Sequence, residues 1–156
     1  MTSKKSGRPP PTIQNKKARF HFEVLEKVEA GIVLTGSEVK SLRAGQASLE
    51  EAYARLRSSE LMLIGCNISP YPMAGYAQHA PTRERKLLLH RREIRKFETK
   101  VTQRGFTLVP LSIYFNARGL VKLEIALARG KVAADKRQDL KKRDAQRQID
   151  RAMRRR

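Results

Sequence analysis

The chain has 156 residues, with 34 Lys or Arg against 15 Asp or Glu and a formal net charge of +19. This length suits one domain with a substantial core plus tails. The charge exceeds what solubility requires, so we expect a polyanionic partner, and nucleic acid is the first candidate. A single cysteine, Cys66, excludes an internal disulfide and fits a reducing, cytoplasmic compartment.

No apolar run is long enough to cross a membrane, and no signal peptide is visible at the N-terminus. Binding of a membrane surface through the basic ends is a minor alternative.

Residues 1–12 are rich in Ser, Lys, Gly and Pro and predict a disordered basic arm. A strand is predicted over residues 20–28, with Phe20, Phe22 and Val24 on one face, and a turn or bulge over residues 29–31.

A short capped helix is predicted over residues 37–44. Thr35 stands three residues before Glu38, the spacing of a capping box, and Gly45 follows at the position that often needs a positive φ. Val39 and Leu42 form the predicted buried side of this helix. Lys40 and Arg43 point the other way, either as a solvated face or as a face that grips phosphates.

Further elements follow in chain order. A strand over residues 52–57 leads through a hairpin turn at 58–60 to a buried strand at 61–66, which ends before two prolines. After a loop over residues 73–81, a helix is predicted over 91–104, because Ile94, Phe97 and Val101 form one apolar stripe and Gly105 closes it.

The last two strands of the body alternate clearly. Residues 107–115 predict a strand with Val109, Leu111, Ile113 and Phe115 inward, and Pro110 indicates a sheet edge or a bulge. A hairpin turn at 116–119 joins it to a strand over residues 120–129, whose apolar residues alternate with Lys122, Glu124 and small residues.

Residues 131–156 form a basic tail with eleven Lys or Arg against four Asp. The segment is helix-prone, and the pairs Asp139 with Arg143 and Asp150 with Arg154 have stabilising spacing. Its apolar stripe is thin, so we expect the tail to be disordered when free and helical on a polyanion that neutralises it.

These elements predict a mainly β fold with helices: a small OB-type β-barrel over residues 13–130, with flanking helices and the basic tail. Barrels of this kind commonly bind nucleic acid. Phe20, Tyr53 and Tyr114 are candidates for stacking on unpaired bases, although a purely structural role is at least as strong an alternative for each.

Nothing in the sequence predicts catalysis. His21, His79 and His90 are far apart and lack the spacing of metal ligands, and there is no Gly-rich phosphate loop. Glu23, Glu26 and Glu29 do not form the carboxylate cluster that a metal-dependent nuclease needs. We therefore expect a binding protein with no enzymatic activity, metal or cofactor.

Several phrases resemble the bacterial small protein B (SsrA-binding) family, and the resemblance runs from about residue 13 to the C-terminus. The most specific phrases are GSEVKSLRAG at 36–45 and RKLLL at 85–89. The others are NKKAR at 15–19, EAG at 29–31, ISPY at 68–71, PTR at 81–83, VPL at 109–111 and DKR at 135–137.

The resemblance implies an OB-type fold and an adaptor function. The family binds the tRNA-like domain of transfer-messenger RNA and carries it into the empty A site of a stalled ribosome. There it enables trans-translation, in which the nascent peptide is tagged and the ribosome released. Alanyl-tRNA synthetase and elongation factor Tu act on the same RNA, so they are indirect partners, and we expect a monomer.

The resemblance also implies which residues face the RNA. Asn15, Glu29, Leu88 and Lys122 match RNA-facing positions of the family. Glu29 would contact a base or sugar donor or orient neighbouring cations, and Leu88 would cover a base or belong to the core. Our own interpretation of the charge pattern adds five phosphate-binding candidates: Lys16, Lys17, Arg19, Lys40 and Arg43.

In the family, the tail enters the vacant mRNA channel and becomes helical there. Asp135, Lys136 and Arg137 match the residues that act near the decoding centre. The chain departs from the family at Phe20, where a His is usual, and at residues 132–134, where an aromatic or His often precedes the DKR phrase. The alternatives to the adaptor are a general basic ribosomal or RNA-chaperone protein and a nucleic-acid enzyme.

Overall fold

A computed structural model describes residues 9–131 and 133–154. Within these residues the strands are β1 (Ile13–Gln14), β2 (Phe22–Ile32), β3 (Ala47–Ser48), β4 (Tyr53–Arg57), β5 (Glu60–Ile64), β6 (Asn67–Ile68), β7 (Arg85–Leu88), β8 (Thr107–Phe115) and β9 (Val121–Gly130). The helices are α1 (Ala18–His21), α2 (Gly36–Arg43), α3 (Arg91–Arg104) and α4 (Ala133–Arg154), with one 3-10 turn at Gly75–Ala77.

The main sheet is antiparallel and closes on itself. Its strands run in the order β1-β8-β4-β5-β7-β2-β9, and β9 also pairs with β8. The pairing therefore returns from β9 to β8 and forms a ring of strands around an apolar interior. The prediction of a mainly β fold with helices is confirmed. The first eight residues of the predicted N-terminal arm lie outside the described part of the chain.

Leu42, Leu61, Leu63, Phe97 and Ile125 are fully or almost fully buried in this interior. Two of them come from helices that close opposite ends of the ring. Helix α2 contacts the first residue of β7 and the last residue of β8, whereas α3 follows the end of β7 and precedes the start of β8. The helix over residues 91–104 and the strand over 107–115 have the predicted bounds.

The predicted strand over residues 20–28 was wrong at its beginning. Phe20 belongs to α1, and β2 starts at Phe22. The backbone turns here because the Asn15 side-chain oxygen accepts a hydrogen bond from the Ala18 N–H at 3.2 Å. The Lys17 carbonyl then accepts the Phe20 and His21 N–H groups, both at 3.1 Å.

The predicted turn at residues 29–31 was also wrong, because β2 continues through it to Ile32. Gly31 pairs with Leu88 of β7 on one side and with Lys122 of β9 on the other. A Cβ at position 31 would come within 3.2 Å of the Leu88 Cβ. A glycine is therefore needed here because the Leu88 side chain lies close to position 31, and the strand itself is continuous.

Pro110 lies at a bulge, as predicted, because the register between β8 and β9 shifts between Pro110 and Ser112. The inward assignment of Val109 and Leu111 to the same core as Ile113 was wrong. The extra residue reverses the alternation of faces, so Val109 and Leu111 pack in a second cluster with Ala18, whereas Ile113 faces the main core.

Candidate nucleic-acid interface

Four adjacent strands bring together residues that are far apart in sequence. The register places Leu88 of β7, Gly31 of β2, Lys122 of β9 and Tyr114 of β8 in one row across the outer face of the sheet. Glu29 and Glu124 form the next row, directly opposite each other. These six residues are called the outer patch below.

Leu88 is the apolar part of the outer patch. It was predicted to be either core or an RNA contact, and it is 52% exposed. Leu87 beside it points inward and is buried, as the alternation of a strand requires. Because Gly31 has no side chain, the Leu88 side chain lies close over the glycine, with its Cδ1 3.4 Å from the position that a Cβ would take.

Glu29 is exposed and accepts a hydrogen bond from the Tyr114 hydroxyl. Burial, together with this bond and the nearby negative charge of Glu29, raises the pKa of Tyr114 to about 12. The phenol therefore stays protonated and remains a donor. Glu124, across the strand, is 3.6 Å from the Lys27 ammonium.

Lys122 is partly buried and directly opposite Tyr114. In the part of the chain that the structure describes, no carboxylate lies within ion-pair distance of its ammonium. Its charge is therefore available to a ligand on the outer patch.

Asn15 has a different environment from the other predicted contact residues. Its side chain is buried, and its amide donates to the Leu49 carbonyl at 3.1 Å and to the Pro110 carbonyl at 3.0 Å. Both amide hydrogens are thus used inside the protein. Asn15 ties β1 to the bulge in β8 and shapes the turn that carries the next cations.

Those cations are Lys16, Lys17 and Arg19, and all three are exposed. Lys17 pairs with Glu50 at 3.1 Å, an exposed contact that contributes little stability. The Arg19 carbonyl accepts a hydrogen bond from the Lys131 ammonium at 2.7 Å. The N-terminal cations therefore lie beside the start of the tail.

Helix α2 has the predicted capping box. The buried carboxylate of Glu38 also joins this helix to β7. Glu38 and Arg85 both have fully buried side chains, and the Arg85 Nε donates to Glu38 at 2.8 Å. Arg83 donates to the other Glu38 oxygen at 2.8 Å, and the Thr35 N–H donates at 2.9 Å. Arg85 also donates to the Cys66 carbonyl at 2.8 Å.

Burial opposes ionisation of Glu38, but the hydrogen bonds from Arg83 and the Thr35 N–H and the charge of Arg85 outweigh it. The pKa of Glu38 falls to about 2. Burial raises the pKa of the neighbouring Cys66 thiol to about 11, so this cysteine is an inert core residue.

The outward face of α2 carries the two predicted cations, Lys40 and Arg43, which are exposed. The Lys40 ammonium lies 5.3 Å from the centre of the Tyr71 ring, and the Arg43 guanidinium lies 5.8 Å from the centre of the Phe115 ring. Phe115 packs against the main core at the last residue of β8, so Arg43 lies where α2 meets that end of the barrel.

Helix α4 begins at the other end of β9. Lys122 and Gly130 are separated by eight residues of strand, about 26 Å at roughly 3.3 Å per residue. Lys136 is partly buried and Arg137 is exposed. The Asp135 side chain and the whole of Val132 lie outside the described residues.

The tail helix α4 contacts α1 at a few residues. Lys131 pairs with Asp139 in place of the predicted partner of Asp139, Arg143. The Arg143 guanidinium instead lies 5.2 Å from the centre of the Phe20 ring. Whether this helix requires a polyanion stays a prediction.

Sequence reasoning missed the partners of several of these residues. It did not pair Glu38 with Arg85, although an arginine at an inward position of a buried strand indicates a buried carboxylate. It also missed the aromatic partners of Lys40 and Arg43 and the pairing of Tyr114 with Glu29. None of these three contacts has a local sequence signal.

Among the described residues, no group of three His, Cys, Asp or Glu could hold a metal ion. No helix in the same residues is long and apolar enough to cross a membrane.

A model of the SmpB protein family matches residues 12–155. The chain belongs to the SmpB family. It is 52% identical over 144 residues to an SsrA-binding protein of Symbiobacterium thermophilum, with 92% of this chain and 91% of the relative covered. An SsrA-binding protein of Oleidesulfovibrio alaskensis is 53% identical over 152 residues, with 97% of both chains covered.

An SsrA-binding protein of Nostoc punctiforme is 56% identical over 140 residues, covering 89% of this chain and 90% of the relative. A solved SmpB-family chain, from work described as "tmRNA-SmpB: a journey to the center of the bacterial ribosome", superposes with a TM-score of 0.66 at 51% identity. The superposition covers 79% of this chain and 86% of that chain. The predicted family is confirmed.

Proposed function

We propose that this protein binds the tRNA-like domain of transfer-messenger RNA and delivers it to the A site of stalled ribosomes for trans-translation. The observation that carries the proposal is the outer patch. Leu88, Glu29 and Lys122, which match RNA-facing positions of the family, lie side by side on three adjacent strands. Relatives named SsrA-binding proteins and the likeness to a chain from ribosome work support the same function.

The body supplies the contacts to transfer-messenger RNA. The outer patch offers an apolar side chain, a carboxylate and a cation, which suit base edges as well as phosphates. Arg43, beside Phe115, and Lys40 extend the cationic surface onto α2. Lys16, Lys17 and Arg19 add phosphate contacts, and the internal hydrogen bonds of Asn15 give it the role of shaping their turn.

The tail supplies the contacts to the ribosome. Residues 131–154 begin about 26 Å from the outer patch, as judged from the length of β9, so both surfaces can be occupied together. Asp135, Lys136 and Arg137 act near the decoding centre, and the cations of α4 follow the empty mRNA channel. Contacts with ribosomal RNA neutralise the repulsion along this helix.

The proposed role needs no catalysis by this chain, which acts as a monomer in the cytoplasm, where stalled ribosomes occur. Alanyl-tRNA synthetase and elongation factor Tu reach the complex through the RNA. A Mg²⁺-dependent nuclease assay tests the enzymatic alternative, because cleavage of transfer-messenger RNA by the pure protein would contradict the adaptor role.

The first experiment measures binding to transfer-messenger RNA, to an ordinary tRNA and to a random duplex of equal charge at two salt concentrations. Nonspecific phosphate contacts weaken steeply with salt and alike for all three. We expect a preference for transfer-messenger RNA that persists at the higher salt. Equal binding that salt abolishes would make the protein a general basic RNA chaperone.

A second experiment separates the two surfaces. Lys122→Ala and Glu29→Ala should weaken binding to transfer-messenger RNA while the circular dichroism spectrum stays unchanged. Lys96→Ala is the matched control, since Lys96 is an exposed lysine on α3 that pairs with Glu26. Truncation after Gly130 should preserve RNA binding and abolish peptide tagging in a reconstituted translation system. Tagging by the truncated protein would refute the division between body and tail.

A further inference from the structure

The tail helix is joined to the barrel by a very short connection. Only two residues separate Gly130 at the end of β9 from Ala133 at the start of α4. Each residue of a chain has two soft backbone dihedrals, so chain connectivity alone permits many directions for the helix. Contacts between the tail and the body therefore decide where α4 points.

Lys131 makes three contacts at this junction. Its backbone N–H donates to the His21 carbonyl at 3.0 Å, and its ammonium donates to the Arg19 carbonyl at 2.7 Å. The same ammonium pairs with Asp139, in the second turn of α4. One lysine thus links the end of α1 to a helical turn that lies eight residues further along the chain.

A second contact lies one turn further along α4. The Arg143 guanidinium is 5.2 Å from the centre of the Phe20 ring, which is within the range of a cation–π interaction. Asp139 and Arg143 are four residues apart, so they share one face of the helix. The two could pair with each other, but in the structure each has a partner at α1 or beside it.

These contacts are individually weak and act together. The hydrogen bond from Lys131 lowers the pKa of Asp139, so the carboxylate is ionised at neutral pH. Both side chains of this pair are partly exposed, and such a pair contributes little free energy. However, the helix is held at its first residue, at Asp139 and at Arg143, over about 15 Å at roughly 1.5 Å per residue. Three points along a rigid rod fix its direction.

We propose that α1 docks the first three turns of the tail helix, and that the four side chains in these contacts are positioning residues that fix the direction of the tail relative to the barrel. The disorder expected of the free tail then begins beyond Arg143. The functional consequence rests on the proposed function. A tail that already points in one direction reaches its ribosomal site at a higher effective concentration once the RNA on the barrel enters the A site.

Double electron–electron resonance on the full chain tests the dock without RNA or ribosomes. Nitroxide labels are attached at Ala117→Cys, in the exposed turn before β9, and at Ala145→Cys, just beyond Arg143 on the exposed face of α4. The native Cys66 is buried and does not compete for the label. We expect one narrow distribution of distances between the labels. A broad distribution in the otherwise wild-type chain would overturn the inference.

Variants of the dock identify which contacts hold the helix. Asp139→Asn removes the carboxylate, and Asp150→Asn is the matched control, because it changes the charge equally but Asp150 accepts a hydrogen bond from Gln146 of the same helix. Asp139→Asn should broaden the distribution, and added Phe20→Leu should broaden it further. Asp150→Asn should leave it narrow, and Phe20→Tyr alone, which keeps the ring, should do the same. Equal broadening by the two aspartate variants would assign the effect to helix charge and refute the dock.

Peptide tagging on stalled ribosomes in a reconstituted translation system tests the consequence. Asp139→Asn should slow tagging about 2- to 5-fold, as expected for loss of one partly exposed ion pair, and leave the affinity for transfer-messenger RNA unchanged. Asp150→Asn should tag at the wild-type rate. Faster tagging by Asp139→Asn would make the dock autoinhibitory, and unchanged tagging would remove its role, so either result overturns the positioning of the tail.

The two measurements also separate the dock from the proposed function. A narrow distance distribution that is lost in Asp139→Asn supports the dock even if the wild-type protein shows no preference for transfer-messenger RNA. A broad distribution, combined with a clear preference for transfer-messenger RNA and normal tagging, would refute the dock and leave the proposed function standing.

Discussion

The barrel and the tail use the same kinds of charged residue in opposite environments. Glu38 is fully buried between Arg85 and Arg83, and each of its oxygens accepts hydrogen bonds. Asp139 of the tail pairs with Lys131, and both side chains remain partly exposed to water. In the barrel the ion pair is part of the core, whereas in the tail it is an addition to a solvated helix.

Apolar burial divides the two regions in the same way. The barrel core buries large side chains from both closing helices, including Leu42 and Phe97. On α4 the residues of the thin apolar stripe are about half exposed or more: Leu140, Ile149 and Met153. Little free energy from burial is therefore available to hold the tail helix. We therefore expect the barrel to be stable by itself and the tail helix to depend on what it contacts.

The largest expected effect tests the barrel side of this comparison. Glu38→Ala leaves Arg85 buried without its carboxylate, and loss of one partner of a buried pair costs about 3–5 kcal/mol. Urea unfolding should show this loss. Glu26→Ala is the control, because Glu26 pairs with Lys96 and Lys100 at the surface and should change stability by less than about 1 kcal/mol. Equal losses would show that burial is not what distinguishes the two carboxylates.

The loss of stability at low pH tests the same ion pair through protonation of Glu38. The folded pKa of Glu38 is about 2, below the ordinary glutamate value of 4.5, so ionised Glu38 stabilises the fold above the unfolded pKa. This contribution, about 3 kcal/mol, should be lost as the pH falls from about 4.5 to about 2. Glu38→Gln should lose most of that slope in urea unfolding followed across this pH range. A slope unchanged by Glu38→Gln would assign the acid sensitivity to other carboxylates.

A smaller effect is expected where the tail meets the barrel. Phe20→Ala removes the ring under the Arg143 guanidinium, a cation–π contact of about 0.5–1 kcal/mol at an exposed site. Hydrogen exchange of the amides near Arg143 should accelerate about 2- to 5-fold, because the exchange rate follows the equilibrium constant for local opening of the helix. Met153→Ala, near the far end of the helix, should leave those amides unchanged.

A similarly small effect on the barrel is expected from removing the tail. Truncation after Gly130 deletes Lys131 and all of α4, yet it leaves the barrel core intact. The thermal midpoint of the body should fall by no more than about 4 °C, which corresponds to roughly 1 kcal/mol in a domain of this size. A larger fall would make the tail helix a structural part of the barrel and would undermine the division described above.

Local sequence signals determined most of the elements by themselves. The apolar stripe and Gly105 predicted α3 with its observed bounds, and the strict alternation after residue 120 predicted β9 to within a residue. The spacing of Thr35 and Glu38 predicted the capping box of α2. These signals suffice because helix periods, strand alternation and caps depend on residues a few positions apart.

Family resemblance predicted the candidate contact residues, but not how they are held. The sequence named Asn15 and Glu29 as RNA contacts, and only the structure shows that Asn15 is occupied internally and that Glu29 is oriented by Tyr114. Sequence pattern failed at Phe20 for a related reason. The side chain of Asn15 turns the backbone into α1 where alternation alone predicted a strand.

Tertiary structure alone decided which distant residues meet. Tyr114 and Glu29 are 85 positions apart, and Arg85 and Glu38 are 47 apart. The bulge at Pro110 reversed the faces of β8, so Val109 entered a second cluster that alternation could not predict. Register, bulges and buried ion pairs depend on the closure of the whole sheet, because each is set by strands that the chain brings together only after it folds.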